Sequence, residues 1–160
     1  MSQTRFINPQ TLGKPPGYTH VVEVTAPGRI VYIAGQLGVD RDGKVVGDFQ
    51  RQAVQTFENL KTALAAVGAQ FRHVVKLNNY LVDRAHLPTF REVRDGYLAD
   101  NDRPASTTIA ISGLAREGAL IEIEAVAVLP AAARAKAASK AAGKGRTARS
   151  PRRRARPKRR

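Results

Sequence analysis

Apolar residues recur along the chain with two different periods, and the switches between them mark out the elements. Between Tyr18 and Val24 a β-prone stretch is closed by the turn signal Ala26-Pro27-Gly28. Arg29 to Ala34 (RIVYIA) follows as a partner strand, so the two read as a hairpin. Asp40-Arg41-Asp42-Gly43 is another turn. The period then lengthens. Ala53, Phe57, Leu60, Leu64 and Val67 recur at spacings of 4, 3, 4 and 3, which is one face of a helix, with Asp48 at its N-cap and Gly68 placed to stop it. Val74 to Val82 (VVKLNNYLV) returns to strand character, weakened by Asn78 and Asn79. Pro88, at the first helical position, opens a second helix to about Leu98, with Phe90, Val93, Tyr97 and Leu98 inward. Ser106 to Ile111 and Leu120 to Leu129 complete the set as two strands. The order ββ, α, β, α, ββ predicts an α+β domain, a mixed β-sheet with two helices on one face.

The last strand, LIEIEAVAVL, carries the most information. Alternation puts Ile121, Ile123, Ala125, Ala127 and Leu129 on one face and Leu120, Glu122, Glu124, Val126 and Val128 on the other. The first face suits the cover of the helices. The second mixes carboxylates with large aliphatics, a poor surface for open water, and self-association is the simplest way to cover it. A carboxylate beside such an interface is partly desolvated, which is how acid–base groups are tuned.

Composition sharpens the picture in one place. The 160-residue chain has a formal net charge of +14 from 27 Lys and Arg against 13 Asp and Glu. Thirteen of those basic residues lie in 131–160, a segment without a single acid, so the body is nearly neutral. The tail has no Val, Ile, Leu, Phe or Tyr and cannot bury enough surface to offset its own entropy. The chain therefore divides into a folded domain, 1–130, and a disordered Ala/Lys/Arg-rich basic tail, 131–160. Cysteine is absent, which removes disulfides, thiolate metal sites and a cysteine nucleophile. No apolar run approaches the ~18–20 residues of a membrane span, and no secretory signal is visible, so the expected location is the cytoplasm, with no membrane partner.

Conventional catalytic motifs are missing. His20, His73 and His86 fall in different elements without ligand spacing, so no metal site is expected. Gly35-Gln36-Leu37-Gly38 and Gly143-Lys144-Gly145 lack the phosphate-loop patterns. Asn78 and Tyr80 share a strand face and are either a site wall or sheet surface. Glu122 and Glu124, read alone, are either a solvated strand face or a site.

The order of several segments resembles the RidA/YjgF family of reactive-intermediate deaminases. The resemblance rests on Gly17-Tyr18, VYIAGQLGVDRDGKVVG, QAVQTFENLKTALAAVGA followed by VVKLNNYLVD, RPASTT and IEIEAVAVL. It implies a chorismate-mutase-like fold assembled as a homotrimer with a pocket at each subunit boundary. It also implies hydrolysis of enamines and imines to a carbonyl compound and ammonia, without a cofactor. By this resemblance Glu122 orients or polarises the water and Tyr18 walls the pocket. The backbone around Gly35 supplies hydrogen bonds, and Ser106 and Thr108 line the substrate side. One departure stands out. Family members with deaminase activity carry an Arg after Pro-Ala to grip a substrate carboxylate, and here Pro104-Ala105 is followed by Ser106. A hydroxyl offers one neutral hydrogen bond where a guanidinium gives two charge-assisted ones. Arg103 is on the wrong strand face by parity, and Arg94 on the second helix is the other candidate for that role.

Three readings follow. The first is an imine or enamine hydrolase whose substrate need not be a simple 2-imino acid. The second is a non-catalytic trimeric metabolite-binding protein. The third puts function in the tail, where Arg152, Arg153, Arg154, Arg156, Lys158, Arg159 and Arg160 form a nonspecific electrostatic anchor for nucleic acid or another polyanion. The tail has no aromatic residue to stack on bases, and no paired histidines support RNA cleavage.

Overall fold

The structure, a computed structural model, describes residues 3–131. The basic tail, including the cluster from Arg152 to Arg160, lies outside the described residues. Six strands and two helices follow in the order β1 (Gln3–Ile7), β2 (Val21–Thr25), β3 (Arg29–Leu37), α1 (Phe49–Ala66), β4 (Val74–Leu81), α2 (Leu87–Tyr97), β5 (Ala105–Ala110) and β6 (Ile121–Leu129). Four strands form a mixed sheet in the order β3-β6-β4-β5, antiparallel except for the parallel pair β4–β5. The fold class is the α+β arrangement expected, with α1 and α2 packed on the sheet.

One pairing differs from expectation. β2 does not form a hairpin ladder with β3; it pairs antiparallel with β1, and β3 pairs with β6. The link between β2 and β3 explains this. Ala26 takes φ +49° and Pro27 has no amide to donate, so the chain leaves its strand there. β6 meanwhile offers β3 a nine-residue partner of matching length. β1 itself escaped notice because QTRFI begins with three exposed polar residues and has only Phe6 and Ile7 to mark it.

Helix α1 forms where its pattern placed it. The Asp48 carboxylate accepts from the Arg51 amide at 3.0 Å, and Gly68, at φ +73°, ends it. The α1 side chains Phe49, Ala53, Phe57, Leu60 and Leu64 are buried against Ile121, Ile123, Ala125, Ala127 and Leu129 of β6. Val67, expected on the same face, is the C-cap and is only partly buried. Phe57 is fully buried at the centre, its ring stacked on Tyr97 with centroids 4.9 Å apart and close to Phe71 and Phe90.

Three polar residues of α1 fix the rest. Buried Gln52 donates to the carbonyls of Gly47 and Gly118 and accepts from the Leu120 amide. It thereby pins the approach to β6. Asn59 donates to the carbonyls of Leu37 and Val39, 2.9 Å each, and holds the end of β3. Glu58 accepts from the Tyr97 hydroxyl at 2.9 Å, tying α1 to α2.

That last bond sets an alkaline limit. Burial, then the hydrogen bond to Glu58 and its charge, push the Tyr97 phenol up to about 12. The same bond, with help from Lys61, holds the Glu58 carboxyl below its ordinary value. A raised phenol stabilises the fold fully below its unfolded value, roughly 10, and the contribution is lost as pH rises through the folded one. Tyr97→Phe is expected to remove one late-ionising phenol from an alkaline ultraviolet titration. It should also flatten the loss of stability between about pH 10 and pH 12 in urea melts.

Candidate functional site

Residues paired across neighbouring strands share a face, so the sheet register sorts the candidate side chains at once. Tyr80 pairs with Glu122 and with Ile109, and Asn78 pairs with Glu124 and with Thr107. These belong to the face away from the helices. Asn79 pairs with Ile123 and Thr108, and Leu77 with Ala125 and Ser106. These belong to the helix-covered face. Glu122 and the pair Ser106/Thr108 therefore lie on opposite sides of one sheet.

On the open face, Glu124 is engaged. It accepts from the Tyr80 hydroxyl at 3.0 Å and from the Asn78 amide at 3.2 Å. The hydrogen bond to Glu124, with burial and the nearby charges of Glu124 and Glu122, raises the Tyr80 phenol above its ordinary value. Glu122 has no hydrogen-bond partner among the described residues. Its carboxylate rests against Gly35, where a Cβ would overlap it. Room for it comes from an irregularity in the β3–β6 ladder between Ile33 and Gln36, which carries Gly35 past its partner strand. Further along β3 and β6 the same face turns apolar. Tyr32 is 78% exposed and Ile30 51%, beside Val126 and Val128.

The other candidates meet in a cleft of about 520 Å³ between the edge strand β5 and helix α2. Tyr18 and Pro16 close one end, Ser106, Thr107 and Thr108 form the strand wall, and Leu87, Arg91 and Arg94 form the helix wall. Arg84, from the turn before α2, lines it as well. Behind the strand wall sits Asn79, fully buried, whose amide nitrogen donates to Ser106 Oγ at 2.9 Å and to Thr108 Oγ1 at 3.1 Å. The same nitrogen reaches the Thr107 carbonyl at 3.0 Å, while Asn79 Oδ1 is buried without a partner.

Arginines decide the electrostatics. Arg94 is buried, and its guanidinium meets Asp95 Oδ1 at 2.8 Å. Arg103 pairs with Asp95 and Asp100 and does not line the cleft. Burial alone would raise the Asp95 carboxyl, but hydrogen bonds from Arg94 and Arg103, and their charges, hold it below its ordinary value. Gly17, at φ +92°, lets the loop bearing Tyr18 run over the Arg94 guanidinium where a Cβ would collide. Thus Tyr18, Ser106 and Thr108 share one cleft, and Glu122 and Gly35 touch on the other face. Arg84, Arg91 and Asn79 went unread in the sequence. The spacing of Leu87, Arg91 and Arg94, 4 and then 3, was the available signal for the helix wall.

The contact between Gly35 and Glu122 is testable by a double-mutant cycle. Gly35→Ala should destabilise the protein by about 1–3 kcal/mol through overpacking, and much less in a Glu122→Ala background. Equal effects in both backgrounds, read by denaturant melts, would show that the two residues do not touch.

A family model described as Endoribonuclease L-PSP matches residues 12–129. Protein DfrA of Myxococcus xanthus is 37% identical over 113 residues, which is 69% of this chain and 84% of that protein. The 2-iminobutanoate/2-iminopropanoate deaminase of Dermatophagoides farinae is 30% identical over 132 residues, 81% of this chain and 99% of that one. Among solved structures, the Rid-family protein YyfB of Yersinia pestis superposes with a TM-score of 0.72 at 36% identity, covering 79% of this chain and 98% of its own. With the family model spanning nearly the whole described fold, the chain belongs to the Endoribonuclease L-PSP family, the RidA/YjgF group.

Proposed function

We propose that the protein hydrolyses reactive enamines and imines to a carbonyl compound and ammonia, at a site completed by a second copy of the chain in a homotrimer. The observation that carries this is the separation of the candidate groups. Glu122 is on the open face of the sheet and Ser106 and Thr108 are on the covered one, so one substrate reaches both only if two copies meet. The apolar surface further along the same face, from Ile30 and Tyr32 to Val126 and Val128, is suited to such a contact. A relative named as an imino-acid deaminase, covered over 99% of its length, supports the reaction class.

The chemistry asks little of the protein. An iminium carbon is already electrophilic, and water adds to it with loss of one proton. Glu122 is a carboxylate without a competing partner among the described residues, and it serves as the base that takes this proton. Glu122 then returns that proton to the amino nitrogen of the carbinolamine, the C–N bond breaks with ammonia as the leaving group, and the hydroxyl proton passes to the Glu122 carboxylate as the carbonyl forms. The substrate meanwhile lies in the cleft beside Tyr18, with the hydroxyls of Ser106 and Thr108 fixing its orientation.

Ammonia release from 2-iminopropionate and from bulkier imines tests this directly. Glu122→Gln is expected to lower kcat by about 100-fold or more, the scale of a lost general base. Activity unchanged by that substitution would reject the assignment. Co-refolding Glu122→Gln with the cleft-blocking variant Ser106→Phe should restore part of the activity that neither has alone, because mixed assemblies contain sites with both groups intact. The lack of a guanidinium at position 106 favours a second reading, ligand binding without turnover. A ligand-dependent rise in the denaturation midpoint with no ammonia released would support that one.

A further inference from the structure

The cleft between α2 and β5 has more positive charge than it needs for folding. Arg84, Arg91 and Arg94 all line it, and no acidic side chain does. Arg94, the buried one, is compensated by Asp95 from outside the lining. Arg84 and Arg91 are exposed at the cleft, and neither has a carboxylate within salt-bridge distance among the described residues. Two guanidiniums held beside a third, facing a concave surface, raise the local potential and draw anions from solution.

The strand wall adds donors. The two amide protons of Asn79 are shared among Ser106 Oγ, Thr108 Oγ1 and the Thr107 carbonyl, so both hydroxyls act as acceptors on their inner side. Each hydroxyl keeps its own proton to donate elsewhere. The inner part of the cleft therefore offers two O–H donors beside a compensated guanidinium. The outer part offers two uncompensated guanidiniums, on flexible stems, suited to bidentate contact with a carboxylate.

We propose that this cleft binds small dicarboxylates, one carboxylate taken by Ser106 and Thr108 and the other by Arg91 and Arg84. The volume of about 520 Å³ is within the range of small-molecule sites, commonly ~300–1,000 Å³. This deepens the deaminase reading by naming its substrate class, imines of dicarboxylic amino acids, and rests on that reading for the C=N group alone. The strand at position 106 supplies hydroxyls, and the charge that selects the ligand comes from α2 and the turn before it.

The experiment is isothermal titration of the full chain with succinate and with propionate at fixed salt. Succinate is expected to bind about ten-fold or more tighter, and Arg91→Gln and Arg84→Gln should each remove about that much, as charged hydrogen bonds do. Arg91→Lys should recover part of the succinate affinity. The basic tail is the same in every variant, so nonspecific attraction cancels in the comparison. No succinate binding by the native chain overturns the proposal. So does a succinate affinity unmoved in folded Arg91→Gln and Arg84→Gln, their fold checked by circular dichroism. Succinate binding that depends on Arg91, with no ammonia release from any imine, removes the deaminase reading and leaves the dicarboxylate site. Turnover of 2-iminopropionate with no Arg91-dependent preference does the reverse.

Discussion

Side chains on a strand alternate, and in β6 that single constraint governs the molecule. Ile121, Ile123, Ala125, Ala127 and Leu129 are buried beneath the helices, while Glu122, Glu124, Val126 and Val128 take the other side. A shift of one residue would bury both carboxylates under α1 and is excluded by the cost of unpaired charge in a core. The register of β6 then fixes β3 and β4 on either side, and β4 fixes β5. Each functional side chain inherits its face from this one choice.

The helices lock that choice with hydrogen bonds as well as apolar contact. Gln52 is buried among hydrophobic side chains yet has carbonyl and amide partners on both sides of Ala119. Removing it would strand several buried groups at about 1–3 kcal/mol each, more than the side chain contributes as a simple filler. Asn59 does the same for the far end of β3. The position of Glu122 thus depends on residues of α1 that never touch it.

Much of this was legible in the residue order. The period of 3.6 in α1, its Asp48 cap and Gly68 stop, and the alternation of β6 are local signals, and these two elements formed within a residue or two of their expected bounds, whereas β2 starts three residues later and β3 ends three residues later than expected. The hairpin expected from β2 and β3 was not found, because adjacency in sequence says nothing of which strand offers the longer ladder. The site was legible only in pieces. Glu122, Gly35, Tyr18, Ser106 and Thr108 could be named from the family resemblance, but their division between two faces needed the parallel register of β5 on β4. Arg91 was hidden among the solvated charges of α2. Its meaning depends on facing β5, and no pattern within one helix reveals what that helix faces.

Asn79 and Tyr80 are consecutive residues of β4, joined by one peptide plane. Asn79 braces the hydroxyl wall of the cleft, and Tyr80 binds Glu124 on the opposite face. The peptide between them is stiff, and its ladder bonds run to β5 and β6. At this point the wall between the two chemical environments is one backbone thick.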